Sequence, residues 1–386
     1  MRIKINKSLP AILILSMIFF AACQQSEQPE RQRGRGGLVR AGVFNERGAS
    51  ATCVLETMEA LKIDPGIEPF EISASEMMAD SLRGVDVLVF PGGSGSTQNN
   101  SMGAMLGDMV NDFVISRGKG VVGICAGAYL ISDTEDYPCL RLISAGAVDI
   151  EHDKRGSAVV EVKFTDEGVA MFPEMSGHNP GYIQYHDGPL LVPAEGAAGT
   201  PLLVHANYVS DVHCSADAPA GMTPGKIFLA SQEVGKGRVF ACAGHPESTR
   251  GMRWLVPRMV RWAAKEKPVS YGRKVVRPEI GKREIMHDDA VEEELFWNLF
   301  DEYPKVRINA LVTLIELRHR NGFRWAVGML RDRDPEVRSR AAMVLAGAEY
   351  TAALDDLKVA IERETDSSCR KAMEESAERL SEMRGE

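Results

Sequence analysis

The sequence predicts an α/β domain built on a parallel β-sheet, followed by an all-α region of helical repeats. Short apolar segments alternate with helical patterns through the first two thirds of the chain, as in residues 85–90. Residues 121–130 read as a strand that stops at a cysteine between two glycines and continues as a helix. Beyond residue 300, Val306, Val337 and Cys369 are each followed by arginine at intervals of 31 and 32 residues.

Length and charge limit the classes of function. With 386 residues the chain is long enough for two or three domains, each with its own core. The net charge of -9 gives no sign of nucleic-acid binding, and we therefore expect no nucleic-acid partner.

The first residues have the features of an export signal. Arg2, Lys4 and Lys7 precede an apolar segment, residues 9–20, that is short for a membrane span. Phe20-Ala-Ala-Cys23 resembles the lipobox of bacterial lipoproteins. The resemblance implies a signal peptide over 1–22, lipid on Cys23, a flexible tether over 23–37, and an exported protein anchored to a bacterial membrane at its periplasmic or outer-membrane face.

The core elements follow in order after the tether. We expect strands over 39–44, 68–72 and 85–90, alternating with helices over 49–61, 75–82 and 102–117. Ligands collect at the carboxyl ends of parallel strands. Glu46 follows the first strand and is a candidate for the ligand pocket, the alternative being an ordinary polar loop.

The chemistry centres on Cys125, which follows the strand 121–124. Another strand, 238–243, is predicted to end just before His245 and Glu247. A cysteine, a histidine and a carboxylate that each follow a strand are the parts of an activated thiol nucleophile. The alternative is that Cys125 is a small apolar residue that ends a buried strand.

Phe90-Pro-Gly-Gly, Gly123-Ile-Cys-Ala-Gly-Ala-Tyr and His245-Pro-Glu together resemble the class I glutamine amidotransferase-like superfamily, and most of all the N-terminal domain of biotin-protein ligase. The resemblance implies a flavodoxin-like parallel sheet of the class I glutamine amidotransferase type, with antiparallel additions, over 38–265. It makes Cys125 the nucleophile, His245 the base and Glu247 the residue that orients the imidazole. It assigns the oxyanion hole and substrate contacts to Gly93, Ala126 and Gly92.

The sequence departs from amidotransferases that hydrolyse glutamine at two positions. Ala128 and Tyr129 stand where a polar residue and glutamine usually help to hold the substrate. Glutamine is therefore not assigned as the substrate. The ligase half of a biotin-protein ligase is not found, so the chain is not predicted to be a biotin ligase.

The segment 140–234 shows short alternating runs, which predict antiparallel strands beside the parallel sheet. Its histidines, His178, His186, His205 and His213, match no familiar metal-ligand spacing, and we predict neither a metal nor a cofactor. A bridge between Cys139 and Cys214 would suit an oxidising compartment, but the sequence does not establish this pairing.

The last third begins with a charged segment, 266–288, which is predicted to be a linker. The repeats over 289–386 resemble short HEAT repeats with about three helix pairs. Stacked pairs leave a concave surface suited to a protein partner. Shielding of the first domain is the alternative.

These observations together predict a membrane-anchored lipoprotein with a cysteine hydrolase domain. Its Cys125, His245 and Glu247 would act on the C–N amide bond of a small molecule or peptide. The alternative is a ligand-binding scaffold without catalysis, which uses the pocket and the repeats to bind partners.

Overall fold

The computed structural model describes residues 37–384, except for residues 81, 195–199, 216–217, 282 and 288. The predicted signal peptide, Cys23 and nearly all of the tether lie outside the described residues. Within the described residues, no helix is long and apolar enough to cross a membrane.

Within those residues, twelve strands form one sheet. They are β1 (Val39–Phe44), β2 (Ile67–Ile72), β3 (Val87–Phe90), β4 (Gly120–Ile124), β5 (Ala145–Ala147), β6 (Ser157–Phe164), β7 (Gly181–His186), β8 (Leu191–Pro193), β9 (Leu203–Tyr208), β10 (Ile227–Val234), β11 (Gly237–Cys242) and β12 (Ile285–His287).

The described residues also form twelve α-helices. They are α1 (Ala51–Leu61), α2 (Ala74–Asp80), α3 (Gly95–Ile115), α4 (Ala126–Ile131), α5 (Asp166–Met171), α6 (Leu255–Ala263), α7 (Asp289–Asn298), α8 (Pro304–Glu316), α9 (Arg320–Met329), α10 (Pro335–Gly347), α11 (Leu354–Arg363) and α12 (Ser367–Arg384).

The parallel half of the sheet has the order β2-β1-β3-β4-β11. Its central strands are buried on both faces, which explains why β3 and β4 read as continuous apolar runs rather than alternating ones. The carboxyl ends of β3, β4 and β11 lie side by side, so the residues that follow them meet at one edge. The predicted fold class is confirmed.

Antiparallel strands continue the sheet from β11 through β10, β9 and β6 to β12. The last of these was not expected, because residues 285–287 lie inside the predicted linker. Ile285 and His287 pair with Val159 and Ser157 of β6. A three-residue strand has too little periodicity to be recognised in a charged sequence, and only the open edge of β6 makes it a strand.

Two helices differ from the sequence expectation in their boundaries. Helix α3 begins at Gly95, within the glycine-rich loop, and is kinked at Gly103, which has φ 70° and ψ 169°. The sequence also indicates a helix over 251–264, with a bend expected at Pro257, but helix α6 begins only at Leu255, so Pro257 lies in its first turn. The expected bend is therefore wrong, because a proline in the first turn removes an N–H that has no partner inside the helix.

Helices α7 to α12 form three successive pairs, as the repeat spacing predicts. The repeated arginines explain the spacing physically. Arg307 binds Asp332 through two hydrogen bonds of 2.9 and 2.8 Å, and Arg338 binds Glu364 through two of 2.7 Å. Each arginine thus links its own helix to the loop after the next helix by a bidentate contact.

Candidate active site

Cys125 lies at the turn between β4 and α4 in a strained conformation. Its φ of 52° and ψ of -108° fall outside the regions that L-residues favour. The glycines beside it are required by close packing. A Cβ on Gly127 would lie 1.9 Å from the Phe90 carbonyl oxygen, and one on Gly123 would lie 2.4 Å from the Gly127 oxygen. The turn therefore holds Cys125 at the carboxyl edge of the sheet.

His245 and Glu247 follow β11 in a short 3-10 turn, Pro246–Ser248. The His245 ring nitrogen Nδ1 lies 2.7 Å from Glu247 Oε1. The side chains of both residues are buried, with 1% and 0% exposed. His245 and Cys125 line the same cavity of about 350 Å³. Three distant segments of the sequence thus contribute to one site, with the carboxylate in a position to orient the imidazole.

Of the remaining predicted site residues, two line the cavity and two do not. Gly93 and Ala126 line the cavity. Gly92 lies just behind it, where a Cβ would be 2.7 Å from Cys53 Sγ and 2.9 Å from His245 Cε1. Glu46 is not part of the lining, and its carboxylate accepts a hydrogen bond from the Arg47 N–H at 3.1 Å. Its predicted place in the pocket is therefore not observed.

Arg320 was not expected from the sequence, but the helical repeats place it in this cavity. Its Nη1 lies 2.8 Å from His245 Nδ1 and 2.9 Å from Nε2. Its Nη2 lies 3.1 Å from Glu247 Oε1 and 2.9 Å from Glu56 Oε2. Arg320 is separated from His245 by 75 residues, so no local pattern of sequence connects the two.

The contacts assign the tautomer of His245. A carboxylate only accepts hydrogen bonds, so Nδ1 carries the proton and donates it to Glu247. The free lone pair is then on Nε2, where it accepts from Arg320 Nη1. In this arrangement, the nitrogen that would take a proton from a thiol is already occupied by a guanidinium.

The electrostatics of the cavity keep both its thiols neutral. Burial raises the pKa of Cys125 well above its usual range, and burial raises the pKa of Cys53 to about 11. Burial, and then Arg320, lower the pKa of the His245 imidazole. The Cys125 Sγ lies 3.5 Å from the His186 carbonyl oxygen. At neutral pH the site therefore contains a thiol and a neutral imidazole rather than an ion pair.

A second buried network covers the wall of the cavity beyond the elbow. The Tyr129 hydroxyl donates to Asp149 at 2.6 Å, and Asp149 lies 2.6 Å from Arg155 Nη1. Tyr129 is the residue that stands where glutamine-hydrolysing relatives carry glutamine. Because the Tyr129 hydroxyl donates its hydrogen bond to Asp149, this wall presents the aromatic ring to a ligand.

Within the described residues, no group of three or more histidines, cysteines and acids is placed to hold a metal ion. Cys139 and Cys214 are not joined by a disulfide. Each lies near its own backbone acceptor, Thr134 O at 3.6 Å and Ser157 O at 3.9 Å respectively.

Comparison with known proteins supports both halves of the fold. The model of the DJ-1/PfpI family matches residues 36–171, and the model of HEAT repeats matches residues 292–378. A search of curated proteins gives no match to this chain.

Solved structures show only distant likeness. A β-galactosidase from Rahnella sp. R3 is 14% identical with a TM-score of 0.36, and the match covers 59% of this chain and 32% of that one. A carbohydrate deacetylase is 10% identical with a TM-score of 0.39, covering 59% and 32%. A cytoplasmic protein of Salmonella typhimurium is 12% identical with a TM-score of 0.36, covering 59% and 97%. No argument about this chain rests on these likenesses.

The family models, the strained elbow and the stacked helix pairs agree with one another. The chain combines an α/β region that matches the DJ-1/PfpI family and so resembles the class I glutamine amidotransferase-like superfamily with a C-terminal region that matches HEAT repeats.

Proposed function

We propose that the protein is a membrane-anchored cysteine hydrolase that cleaves a C–N amide bond. The single observation that carries the proposal is one cavity lined by both a strained elbow cysteine and a buried histidine with a carboxylate partner. Backbone strain at a buried thiol is tolerated where the position of the sulfur matters. The substrate class is an amide of a small molecule or peptide.

In the proposed reaction, His245 Nε2 takes the proton from the Cys125 thiol, and the thiolate attacks the amide carbonyl. The N–H groups of Gly93 and Ala126 stabilise the oxyanion. The C–N bond then breaks, and His245 returns the proton to the leaving amine. Water attacks the thioester, releases the carboxylic acid and restores the thiol. General base and oxyanion contributions are each worth roughly 10²–10⁴ in rate.

Arg320 must move before this reaction starts, because it occupies His245 Nε2. The resting state would then be a closed form, and substrate entry would separate the guanidinium from the imidazole while Glu56 and Glu247 keep it in the cavity. On this proposal, the HEAT repeats contribute a residue that closes the cavity as well as a surface for a protein partner.

A second candidate is a binding module without catalysis. The occupied base nitrogen and the raised pKa of the Cys125 thiol favour it directly. On this reading Cys125 is a buried wall residue, and the cavity holds a ligand that is not cleaved.

An assay of amide hydrolysis separates the two candidates. Cys125→Ser should lower turnover across a panel of amides by about 10³-fold or more, measured as released amine. The matched control is Cys139→Ser, a half-buried free thiol outside the cavity, which should keep full activity. The hydrolase proposal fails if wild type and Cys125→Ser release amine equally, or if no amide in the panel is cleaved.

The lipid anchor is proposed from the sequence, as is the closer relationship to the N-terminal domain of biotin-protein ligase. Cys23→Ser should move the protein from the membrane fraction to the soluble fraction of cells that process lipoproteins. An unchanged distribution between these fractions would contradict the anchor.

A further inference from the structure

A second cavity lies where the helical repeats meet the antiparallel edge of the sheet. It has a volume of about 800 Å³ and shares no lining residue with the Cys125 cavity. Strands β6, β7 and β12 form one side, and helices α8 and α10 form the other. This volume is within the range of small-molecule binding sites.

Arginines dominate the charged lining of this cavity. Four guanidinium groups face two carboxylates there, with the residues Arg250, Arg283, Arg318, Arg340, Glu279 and Glu316. The chain as a whole carries a net charge of -9, so the cavity has the opposite sign. A concave site of one sign attracts a ligand of the other.

Arg318 is the residue that most needs a counter-ion. Its guanidinium makes no hydrogen bond or ion pair to any residue that the structure describes. Burial, and then the neighbouring Arg250, lower its pKa. The carboxylate that opposes this shift, Glu349, is already shared, because its Oε1 accepts from Arg250 at 2.8 Å and its Oε2 pairs with Arg277. The described residues therefore leave this partly buried positive charge without a hydrogen-bond acceptor, which is unfavourable unless an anion binds there.

Part of the lining is apolar. Val312 and Ile315 of α8 and Met343 and Val344 of α10 lie on the same side of the cavity. Met343 is 50% exposed, so apolar surface of this wall is open to solvent. A ligand that covers this wall would remove apolar surface from water while its charged end reaches Arg318.

We propose that this cavity binds a small amphipathic anion, an alkyl chain that ends in a carboxylate. The alkyl chain would lie on the wall formed by α8 and α10. The carboxylate would accept hydrogen bonds from the guanidinium of Arg318, with Arg250 beside it. The planar fork of arginine matches a carboxylate through two hydrogen bonds. This site is independent of the proposed hydrolase and would persist if that proposal failed.

Calorimetric titration of the full chain with decanoate tests the proposal. We expect saturable one-to-one binding, weakened about tenfold or more in Arg318→Gln, the typical effect of losing a hydrogen bond to a charged group. Decanol, which lacks the anion, and acetate, which lacks the chain, should each bind at least tenfold more weakly than decanoate. Met343→Asp adds a carboxylate to the wall and should weaken binding of decanoate similarly.

The matched control is Arg331→Gln, which removes the same charge from an exposed arginine of the repeats outside the cavity. It should bind decanoate as wild type does. Thermal unfolding of each variant separates loss of the site from loss of the fold. The proposal is overturned if decanoate does not bind wild type saturably, if decanol binds as tightly, or if folded Arg318→Gln and wild type have the same Kd.

Discussion

Two turns of the helical repeats have the same backbone but carry opposite chemistry. After α8, the N–H of Arg318 bonds Ile315 O and that of His319 bonds Leu314 O. After α10, the N–H of Glu349 bonds Ala346 O and that of Tyr350 bonds Leu345 O. Arg318 and Glu349 have left-handed φ of 57° and 61°. Both turns are Schellman motifs, in which glycine is the usual residue at this position.

The two turns share one backbone conformation but place different side chains against the α/β region. Two residues after Arg318, Arg320 reaches His245 and two buried carboxylates. Two residues after Glu349, the Thr351 hydroxyl accepts a hydrogen bond from Arg253 at 2.8 Å. The repeat therefore fixes where each turn meets the α/β region, and the side chain alone decides whether that contact is structural or belongs to the active site.

The largest expected effect is the loss of Arg320. Arg320→Ala leaves Glu56 and Glu247 buried without a cation, and should lower the free energy of unfolding by about 3–5 kcal/mol. Urea unfolding measures this difference. Thr351→Ala, at the equivalent position of the other turn, should lower it by about 1 kcal/mol or less.

Arg324→Ala is the control within helix α9. Its guanidinium makes an exposed contact with Thr52 at 3.2 Å, and its removal should change stability by about 0.5 kcal/mol or less. If Arg320→Ala lowered the free energy of unfolding no more than Arg324→Ala does, the contacts of Arg320 with the buried carboxylates would not distinguish the two turns.

Glu349→Gln should have the next largest effect, about 2–3 kcal/mol, because Arg250 and Arg277 lose their shared carboxylate. The effect should be smaller than that of Arg320→Ala, because these two arginines remain 25% and 22% exposed. Urea unfolding of Glu349→Gln, Arg318→Gln and the double variant forms a mutant cycle.

In that cycle, removal of Arg318 relieves repulsion among the remaining cations. The free energy of unfolding should therefore fall less in the double variant than in Glu349→Gln alone, by about 0.5–1 kcal/mol. Strict additivity of the two changes would show that Arg318 does not interact with this cluster.

The free energy of unfolding should depend on pH through His186, a histidine whose pKa burial and Arg320 both lower. Burial and then Arg320 lower the pKa of His186 to about 3. The unfolded chain therefore binds more protons below about pH 6.5, and the free energy of unfolding falls as the pH falls, by about 1.4 kcal/mol per pH unit for this group. Urea unfolding between pH 7 and pH 5 should show a smaller slope for His186→Gln.

Thr351→Ala, at the equivalent position of the other turn, should leave the slope as in wild type. A slope for His186→Gln equal to that of wild type would indicate that His186 is not held neutral by its surroundings.

The smallest effect concerns the backbone that the two turns share. A non-glycine residue with left-handed φ is strained, so Arg318→Gly should stabilise the fold by about 0.5–1 kcal/mol. Glu349→Gly relieves the same strain but removes the carboxylate, and should be destabilising overall. Thermal unfolding measures both. Equal effects of the two glycine variants would mean that the side chains at these positions do not differ in energy.

Much of the fold could be predicted because it depends on local pattern. The runs at β3 and β4, the glycines around Cys125 and the 31-residue spacing of the repeats each show their physical cause within a few tens of residues. Strand β12 could not be predicted, because its three residues pair with β6 more than a hundred residues earlier. The pocket position of Glu46 was not observed, since the carboxyl end of a strand limits where a loop starts but not where its side chain points.

The sequence by itself determined the α/β class, the helical repeats and the elbow that holds Cys125, because strand, turn and helix signals are encoded by neighbouring residues. Only the tertiary structure brought Arg320 to His245 and left the Arg318 guanidinium without a hydrogen-bonded carboxylate among the described residues. Those contacts depend on how the repeats pack against the sheet, and the free energy of a buried charge depends on every group around it rather than on its neighbours in the chain.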